Sequence, residues 1–308
     1  MAYTGFSKAG LIDNDYLDQL KDALVPKMIT EGITAKLVTI LPNVKNAATL
    51  NLIDNTIDVQ EGGCGFNPSG NVALIQRELR VYRKKVNDTL CPDDLWSTYL
   101  STYMRGNELP FTEVIANSYV NRINAFNENW IWGGDSEVDG LLQVIADDTH
   151  VVNAASEVAS ASGYIAKLNA LMAKAPTEVK TADDGIVFCS FGFYDNYANE
   201  LRAANLYMAA NDEYATGGYI MTIPGTNKKL VATSGIDNSG ISPATGELLV
   251  YTTAKNLVIG TDMLLQDSPS DFSMWYSQDN QEYRVAANWA IGVNYRWSEF
   301  VVKGYTLA

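Results

Sequence analysis

From Glu282 to Tyr295 the apolar side chains fall on every odd position: Tyr283, Val285, Ala287, Trp289, Ile291, Val293 and Tyr295. Arg284, Asn288 and Asn294 stand among small residues at the even positions. Side chains alternate between faces along a strand but recur every 3.6 residues around a helix, so this run excludes a helix. Its thirteen steps span roughly 40 Å as a strand. A strand that long needs a sheet, and a sheet with one apolar face needs something laid across it.

The stretch Leu109–Asp135 supplies the cover. Phe111, Ile115, Tyr119, Ile123, Phe126 and Trp130 recur at spacings of four and three, with Glu113, Asn117, Asn121, Asn124 and Glu128 filling the gaps. That spacing predicts a helix with one apolar stripe. Pro110 suits its first turn, where a missing N–H leaves nothing unsatisfied. Gly133-Gly134 suits its end, since glycine accepts the left-handed C-cap conformation. About 20 residues at 1.5 Å each make a rod of roughly 30 Å.

The remaining chain divides in order. Residues 1–35 read as an arm, with a short amphipathic helix over Asp15–Val25 carrying Leu17, Leu20 and Leu24. Leu37–Leu41 reads as a short strand. Residues 36–88 read as a long hairpin. One leg passes through Leu50–Val59, the tip is Glu61–Gly70, and the other leg returns through VALIQRELRVYRKKV with Ile75, Arg77, Leu79 and Val81 on one face. It has few large apolar residues for its length, and an isolated hairpin is marginal in water. Residues 89–108 carry Leu95, Trp96, Tyr99, Leu100 and Tyr103 as a short amphipathic lead into the rod. A second helix is expected over 154–175 from Val158, Ala161, Ile165, Leu168 and Met172. Gly185–Phe191 reads as a strand covered on both faces. A third helix follows on Tyr197, Leu201, Ala204 and Met208, then short strands at Tyr219–Ile223, Lys229–Thr233, Leu257–Ile259 and Phe272–Tyr276, and Phe300–Val302 closes the chain.

Composition narrows the function. Of 308 residues 47% are hydrophobic, with 17 Tyr and 6 Trp, enough for one large core or two smaller ones. The net charge is −14, and affinity for nucleic acid rests on neutralising phosphates with Lys and Arg. Such a chain is a poor general binder of DNA or RNA, though it can enclose nucleic acid without gripping it. The first residues hold no apolar core of signal-peptide length, and no run approaches a membrane span. Cys64, Cys91 and Cys189 lie far apart without metal or redox spacing, and read as free thiols in a reducing compartment.

Candidate chemistry is sparse. His150 is the only histidine, which leaves a His-based metal site or a Ser/His pair without parts. Asp93-Asp94, Asp147-Asp148 and Asp183-Asp184 sit where turns and helix starts prefer Asp. The tip GGCGFNPSG lacks the lysine of a phosphate loop. One cluster stands out: Arg77, Arg80, Arg83, Lys84 and Lys85 crowd the returning leg in an acidic protein. It reads either as a solvated strand edge or as a contact to nucleic acid. No catalytic, cofactor or metal residues emerge.

The order of parts resembles the Hong Kong 97-type major capsid proteins of tailed bacteriophages. The residues that carry the likeness are NWIWGG at 129–134 as the end of a spine helix, IAKLNALMAKAPTEVKTADDGIVFCSF as a helix-to-strand passage, and NLVIGTDML with FSMWYSQDNQEYRVAANWAIGVNYRWSEFVV as closing strands. The likeness covers nearly the whole chain from about residue 36. It implies an α+β chain with an N-terminal arm at 1–35 and an extended loop at 36–88 lying on a neighbouring subunit. It implies a peripheral domain with the spine helix at 89–145 and 251–308, and an axial domain at 146–250. Gly62, Gly63, Gly65 and Phe66 at the tip, with Arg77, Arg80, Arg83 and Lys84, then become inter-subunit contacts. The implied partners are further copies of the chain in pentamers and hexamers, a portal, and either a separate scaffold protein or none, since no scaffolding segment precedes the arm. The implied location is the virion capsid, after synthesis in the bacterial host cytoplasm, around double-stranded DNA that is not specifically bound. The implied chain needs no cofactor and no membrane. The tip from Ile53 to Gln76 has no lysine for a Lys–Asn crosslink of the kind some members form. Two alternatives stand beside this reading: an encapsulin-type bacterial compartment of the same fold, and a monomeric α/β hydrolase with the hairpin as a lid.

Overall fold

The computed structural model describes residues 24, 27–28, 30–56, 58–59, 61–62, 70–91, 111–204, 219–262 and 271–307. In chain order the elements are α1 (Ile33–Leu37), β1 (Thr39–Leu41), β2 (Ala47–Thr56), β3 (Asn71–Arg80), β4 (Tyr82–Leu90), α2 (Phe111–Gly133), α3 (Leu141–Asp147) and β5 (Val152–Asn153). There follow α4 (Ala155–Ser160), α5 (Tyr164–Lys174), α6 (Thr177–Thr181), β6 (Gly185–Cys189), α7 (Phe191–Ala203), β7 (Ile220–Thr222), β8 (Lys229–Ala232) and α8 (Ser234–Asp237). The chain closes with β9 (Pro243–Thr253), β10 (Leu257–Thr261), β11 (Asp271–Ser277), β12 (Glu282–Tyr295) and β13 (Val302–Leu307). The arm helix over Asp15–Val25, apart from Leu24, and the amphipathic segment after Cys91 lie outside the described residues.

The alternating run is the spine of a five-stranded sheet. β12 is long enough to serve three neighbours: β4 along one edge from Tyr283 to Ile291, and β11 then β10 along the other. β1 adds to β10 in parallel. The odd-numbered residues from Tyr283 to Ile291 are buried, as the period requires.

Helix α2 lies over that buried face and ends as expected, with Gly134 at φ +72° and its N–H on the Trp130 carbonyl at 2.8 Å. Its buried line keeps Ile123 and Trp130 of the apolar stripe, with Ile115 and Tyr119 packed against the core beside it. Ala116, Val120, Ile123, Asn127 and Trp130 form that line, at spacings of four, three, four and three, while Phe126 is 46% exposed. A second line, Asn124, Glu128 and Ile131, is buried too. The gap-fillers Asn124 and Glu128, outside the apolar stripe, are buried because α2 is covered on both sides: by the sheet below, and by Lys27, Met28, Thr34 and α8 above. Asn127 joins the two, accepting from the Trp289 indole N–H at 2.9 Å and donating to the Met28 carbonyl at 2.8 Å. Trp132 is fully buried, 5.0 Å from the Phe188 ring of the second sheet. Replacing a buried Trp by Ala costs about 3–5 kcal/mol.

The second sheet runs β5-β13-β9-β6-β8-β7. β6 is buried at all five positions, in keeping with its apolar sequence. The expected single helix over 154–175 is two helices, α4 and α5. The chain breaks at Gly163, whose φ of +91° is a conformation that disfavours other residues. The freed first amides of α5 at Tyr164 and Ile165 donate to the Glu200 carboxylate of α7. Helix α7 begins earlier than expected, at Phe191, because Ser190 caps it by accepting from the Phe193 N–H. Met208 lies outside the described residues. The strand expected over Leu37–Leu41 shrinks to β1, since Leu37 belongs to α1. The chain's last strand also leaves the long sheet: β13 pairs with β9 and β5 in the six-stranded one. Its Lys303 is buried and donates to the last carbonyls of α3 at Ile145 and Ala146, 3.2 and 2.7 Å away.

Candidate functional site, the hairpin and its seat

β2 and β3 pair without a bulge through ten residues each, from Ala47 opposite Arg80 to Thr56 opposite Asn71. At 3.3 Å per residue each leg is roughly 33 Å long. One face of the base carries Leu50, Leu52 and Leu79, all buried. The opposite face carries Ile53 directly across from Leu74, with Val72 beside them; these three are 58, 73 and 66% exposed. Scattered surface aliphatics are ordinary, but three adjacent ones on a two-stranded hairpin form a patch that nothing covers among the described residues.

Three devices seat the base. The first is a pair of glycines. A Cβ on Gly292 of β12 would stand 2.0 Å from the Arg80 carbonyl oxygen, and one on Gly260 of β10 would stand 2.9 Å from Leu79 Cδ2. The hairpin crosses the sheet through a slot that only hydrogen atoms leave open. The second is Asn294, whose side-chain amide donates to the Glu78 carbonyl at 2.8 Å. The third is Arg77. Its Nη2 donates to Asp148 Oδ2 at 2.9 Å and to Ser298 Oγ, and its guanidinium lies 4.2 Å from the centre of the Tyr295 ring.

Asp148 is the hub of this seat. It also accepts from the Tyr295 hydroxyl at 2.7 Å, from Ser298 Oγ at 2.8 Å and from the His150 N–H at 2.9 Å. Burial alone would raise its carboxyl. The donors from Tyr295, His150, Arg77 and Ser298 more than reverse this and hold it well below the ordinary carboxylate range. Burial, and then the bond to Asp148, push the Tyr295 phenol up.

The basic cluster does not stay together. The expected returning leg is two strands: β3 ends at Arg80, Val81 turns into the core, and β4 enters the five-stranded sheet at Tyr82. Arg77 and Arg80 therefore belong to the hairpin, and Arg83, Lys84 and Lys85 to the sheet. Arg77 points into the seat. Lys84 pairs with Asp135, beyond the end of α2, and lies 5.3 Å from the Trp130 ring. The Arg80 guanidinium pairs with its exposed neighbour Glu78, at 2.9 Å, and Arg83 is exposed. At the tip, Gly62 is exposed, with nothing within 4 Å of the place a Cβ would take. Gly63, Gly65, Phe66 and Cys64 lie outside the described residues. Sequence reasoning missed Asp148, reading it only as a turn residue. It also passed over Gly260 and Gly292, although a glycine inside a strand is itself a signal of close backbone approach.

Among the described residues no group of three His, Cys, Asp or Glu side chains is placed to hold a metal, and no helix is long and apolar enough to cross a membrane.

A seated hairpin, a long helix capped by a glycine turn, and two sheets linked by crossing strands together make the Hong Kong 97-like capsid fold. Solved structures bear this out. The chain is similar to the capsid of an empty GTA particle, with a TM-score of 0.59 and 9% identity over 100% of this chain and 93% of that one. It is similar to the procapsid of satellite phage P4 that includes the size determination protein Sid, with a TM-score of 0.56 and 11% identity over 99% and 94%. The capsid of Myoviridae phage XM1 gives 0.55 and 11% over 88% and 90%. No family model matches the chain, and no curated protein matches it in sequence. The resemblance drawn from the sequence thus holds at the level of the fold.

Proposed function

We propose that this chain is a bacteriophage major capsid protein. Copies of it close, as pentamers and hexamers, into an icosahedral shell around double-stranded DNA. The observation that carries this reading is the hairpin: a structure with the capsid fold along its whole length sends out a two-stranded arm whose exposed side is apolar and whose base is locked. On this reading the activity is geometric, with no catalytic step and no cofactor. The acidic chain encloses DNA without recognising its sequence.

The contact surface then has two parts. Gly62, Gly63, Gly65 and Phe66 at the tip, the Ile53, Val72 and Leu74 face, and the exposed Arg80 and Arg83 meet a neighbouring copy. Arg77 and Lys84 hold the elements that present them. Fully burying an exposed aliphatic side chain contributes about 1.5–3 kcal/mol, so three per subunit, repeated around closed rings, drive assembly. The segments divide as an arm (1–35), an extended loop (36–88), a peripheral domain (89–145 and 251–308) and an axial domain (146–250). A separate scaffold protein and a portal complete the assembly, which forms in the host cytoplasm and ends as the virion shell.

The test is an electron micrograph of purified protein, alone and with its co-expressed neighbours, for the full chain and for a deletion of Asn55–Val72. The full chain should give closed shells or rings, and the deletion a folded subunit that does not close. A full chain that stays monomeric at high concentration with scaffold present would refute the reading. Shells that hold a cargo protein in place of DNA would move it to an encapsulin-type compartment.

A further inference from the structure

Glu128 is a carboxyl group almost without water, 3% exposed, near the end of α2. Its neighbours come from the segment before β1. The Thr34 N–H donates to Oε1 and Oε2 at 3.2 and 3.3 Å, and the Thr34 hydroxyl is hydrogen-bonded to Oε1. The Trp132 indole N–H donates to that same hydroxyl oxygen at 2.8 Å. Asn124, one turn before Glu128, and Asn127, the residue just before it, donate to the carbonyls of Lys27 and Met28 at 2.7 and 2.8 Å. Polar side chains on one side of α2 therefore grip Lys27, Met28 and Thr34, while the side chains of Leu24, Met28 and Ala35 bury beside them. α8 closes the remaining side: a Cβ on Gly235 would stand 2.3 Å from the Glu128 carbonyl oxygen.

Among the described residues no counter-charge accompanies this carboxyl. The charged groups on the elements around it are Lys27, Glu31 and Lys36 on the gripped segment, Arg122 on α2 and Asp237 on α8. All five are exposed. Asp237 turns its carboxylate to the Phe191 N–H at 3.1 Å. Among the described residues no cation pairs with Glu128.

We propose that Glu128 is a proton-operated clamp: residues 27–37 are held on α2 while its carboxyl is neutral, and they open more often once it is ionised. The Thr34 hydroxyl suits both states, accepting from the acid O–H or donating to the carboxylate. What differs is the penalty for a buried charge with no cation beside it. Buried apolar residues keep the segment attached on average, so the proton sets how often it opens.

The sign follows from burial, which raises the Glu128 carboxyl above its ordinary value against the opposing bonds from Thr34 and Trp132. The docked segment then binds more protons than the open one. Docking is strongest below the ordinary glutamate pKa, weakens as pH rises through the raised value, and levels off above it. Within that window each pH unit changes the open population up to about tenfold.

The test is trypsin cleavage after Lys36 in the full chain from about pH 5 to 9, taken as the rate for the natural chain divided by that for Glu128→Gln. The ratio removes the protease's own pH response. It should rise with pH by up to about tenfold per unit and then flatten. A ratio that is constant, or that falls, overturns the proposal. If Glu128→Gln does not fold, a carbon-13 titration of the Glu128 carboxyl in the natural chain decides instead. A midpoint above the ordinary glutamate value supports the clamp, and one at or below it overturns the clamp.

Discussion

Replacing Arg77 by Met removes the guanidinium but keeps much of the aliphatic stem. The pair it forms with Asp148 is neither open nor sealed, at 24% and 14% side-chain exposure. An exposed pair is worth at most about 1 kcal/mol, and breaking a fully buried one costs about 3–5 kcal/mol. Hydrogen bonds to charged groups contribute about 1.5–3 kcal/mol. Asp148 keeps three other donors when Arg77 is lost, which argues for the lower end, and the lost contact with the Tyr295 ring adds back a fraction. We expect about 2 kcal/mol, or about thirtyfold in the opening equilibrium of the hairpin base. Amide hydrogen exchange over Glu78–Val81 reads that quantity directly. The rest of the subunit should keep its protection, because the sheets do not depend on the hairpin. A double-mutant cycle with Asp148→Asn should recover most of the loss as coupling. If Arg77→Met leaves exchange at the base unchanged yet abolishes assembly, Arg77 acts on a neighbouring subunit and the seat described here is not its role.

Three further outcomes follow. Gly292→Ala should unseat the hairpin at a cost of about 1–3 kcal/mol, as overpacking does; exchange at Leu79–Val81 should rise while the circular dichroism of the subunit stays the same. The Lys84 hydrogen bond, with donors from the Glu137 N–H and Trp130, holds the Asp135 carboxyl well below its ordinary range against burial. Its stabilisation is therefore present above the ordinary aspartate pKa of about 4 and is lost as pH falls below it; the stability gap between the natural chain and Asp135→Asn, from urea titrations, should be widest near neutral pH and close in acid. Trp132→Ala should cost about 3–5 kcal/mol in the same titrations, and a loss below 1 kcal/mol would mean that the two sheets do not share a core through this ring.

What the sequence disclosed was whatever follows from period and punctuation. β12 was legible because alternation over fourteen positions has no other reading. The end of α2 was legible because a Gly-Gly pair after an apolar period marks a C-cap. The hairpin was legible from its tip. What stayed hidden depends on a third element arriving from far away. Glu128 and Asn124 look like polar gap-fillers until Lys27, Met28 and Thr34 cover them. Gly163 breaks a helix whose apolar spacing continues across the break, and the replacement cap, Glu200, lies 36 residues beyond Tyr164. Arg77 looks like one of five equivalent cations until Asp148 and Tyr295, 71 and 218 positions away, are folded beside it. Periodicity reports on one element at a time, and a seat is made by four.

The glycine slot also makes the hairpin a lever. Its fulcrum lies where Arg80 and Leu79 cross β12 and β10, and eight residues of β3 reach out to Asn71, roughly 26 Å away. A tilt of about 10° at the slot sweeps the far end through roughly 4–5 Å, close to the spacing of two neighbouring strands. Subunits that sit in rings of five and of six, on the proposed reading, must aim the same arm at slightly different angles. A pivot that is backbone on backbone at Gly292, with the Leu79 and Val81 side chains resting on bare Gly260, supplies that adjustment, while the Arg77–Asp148 tether limits the swing.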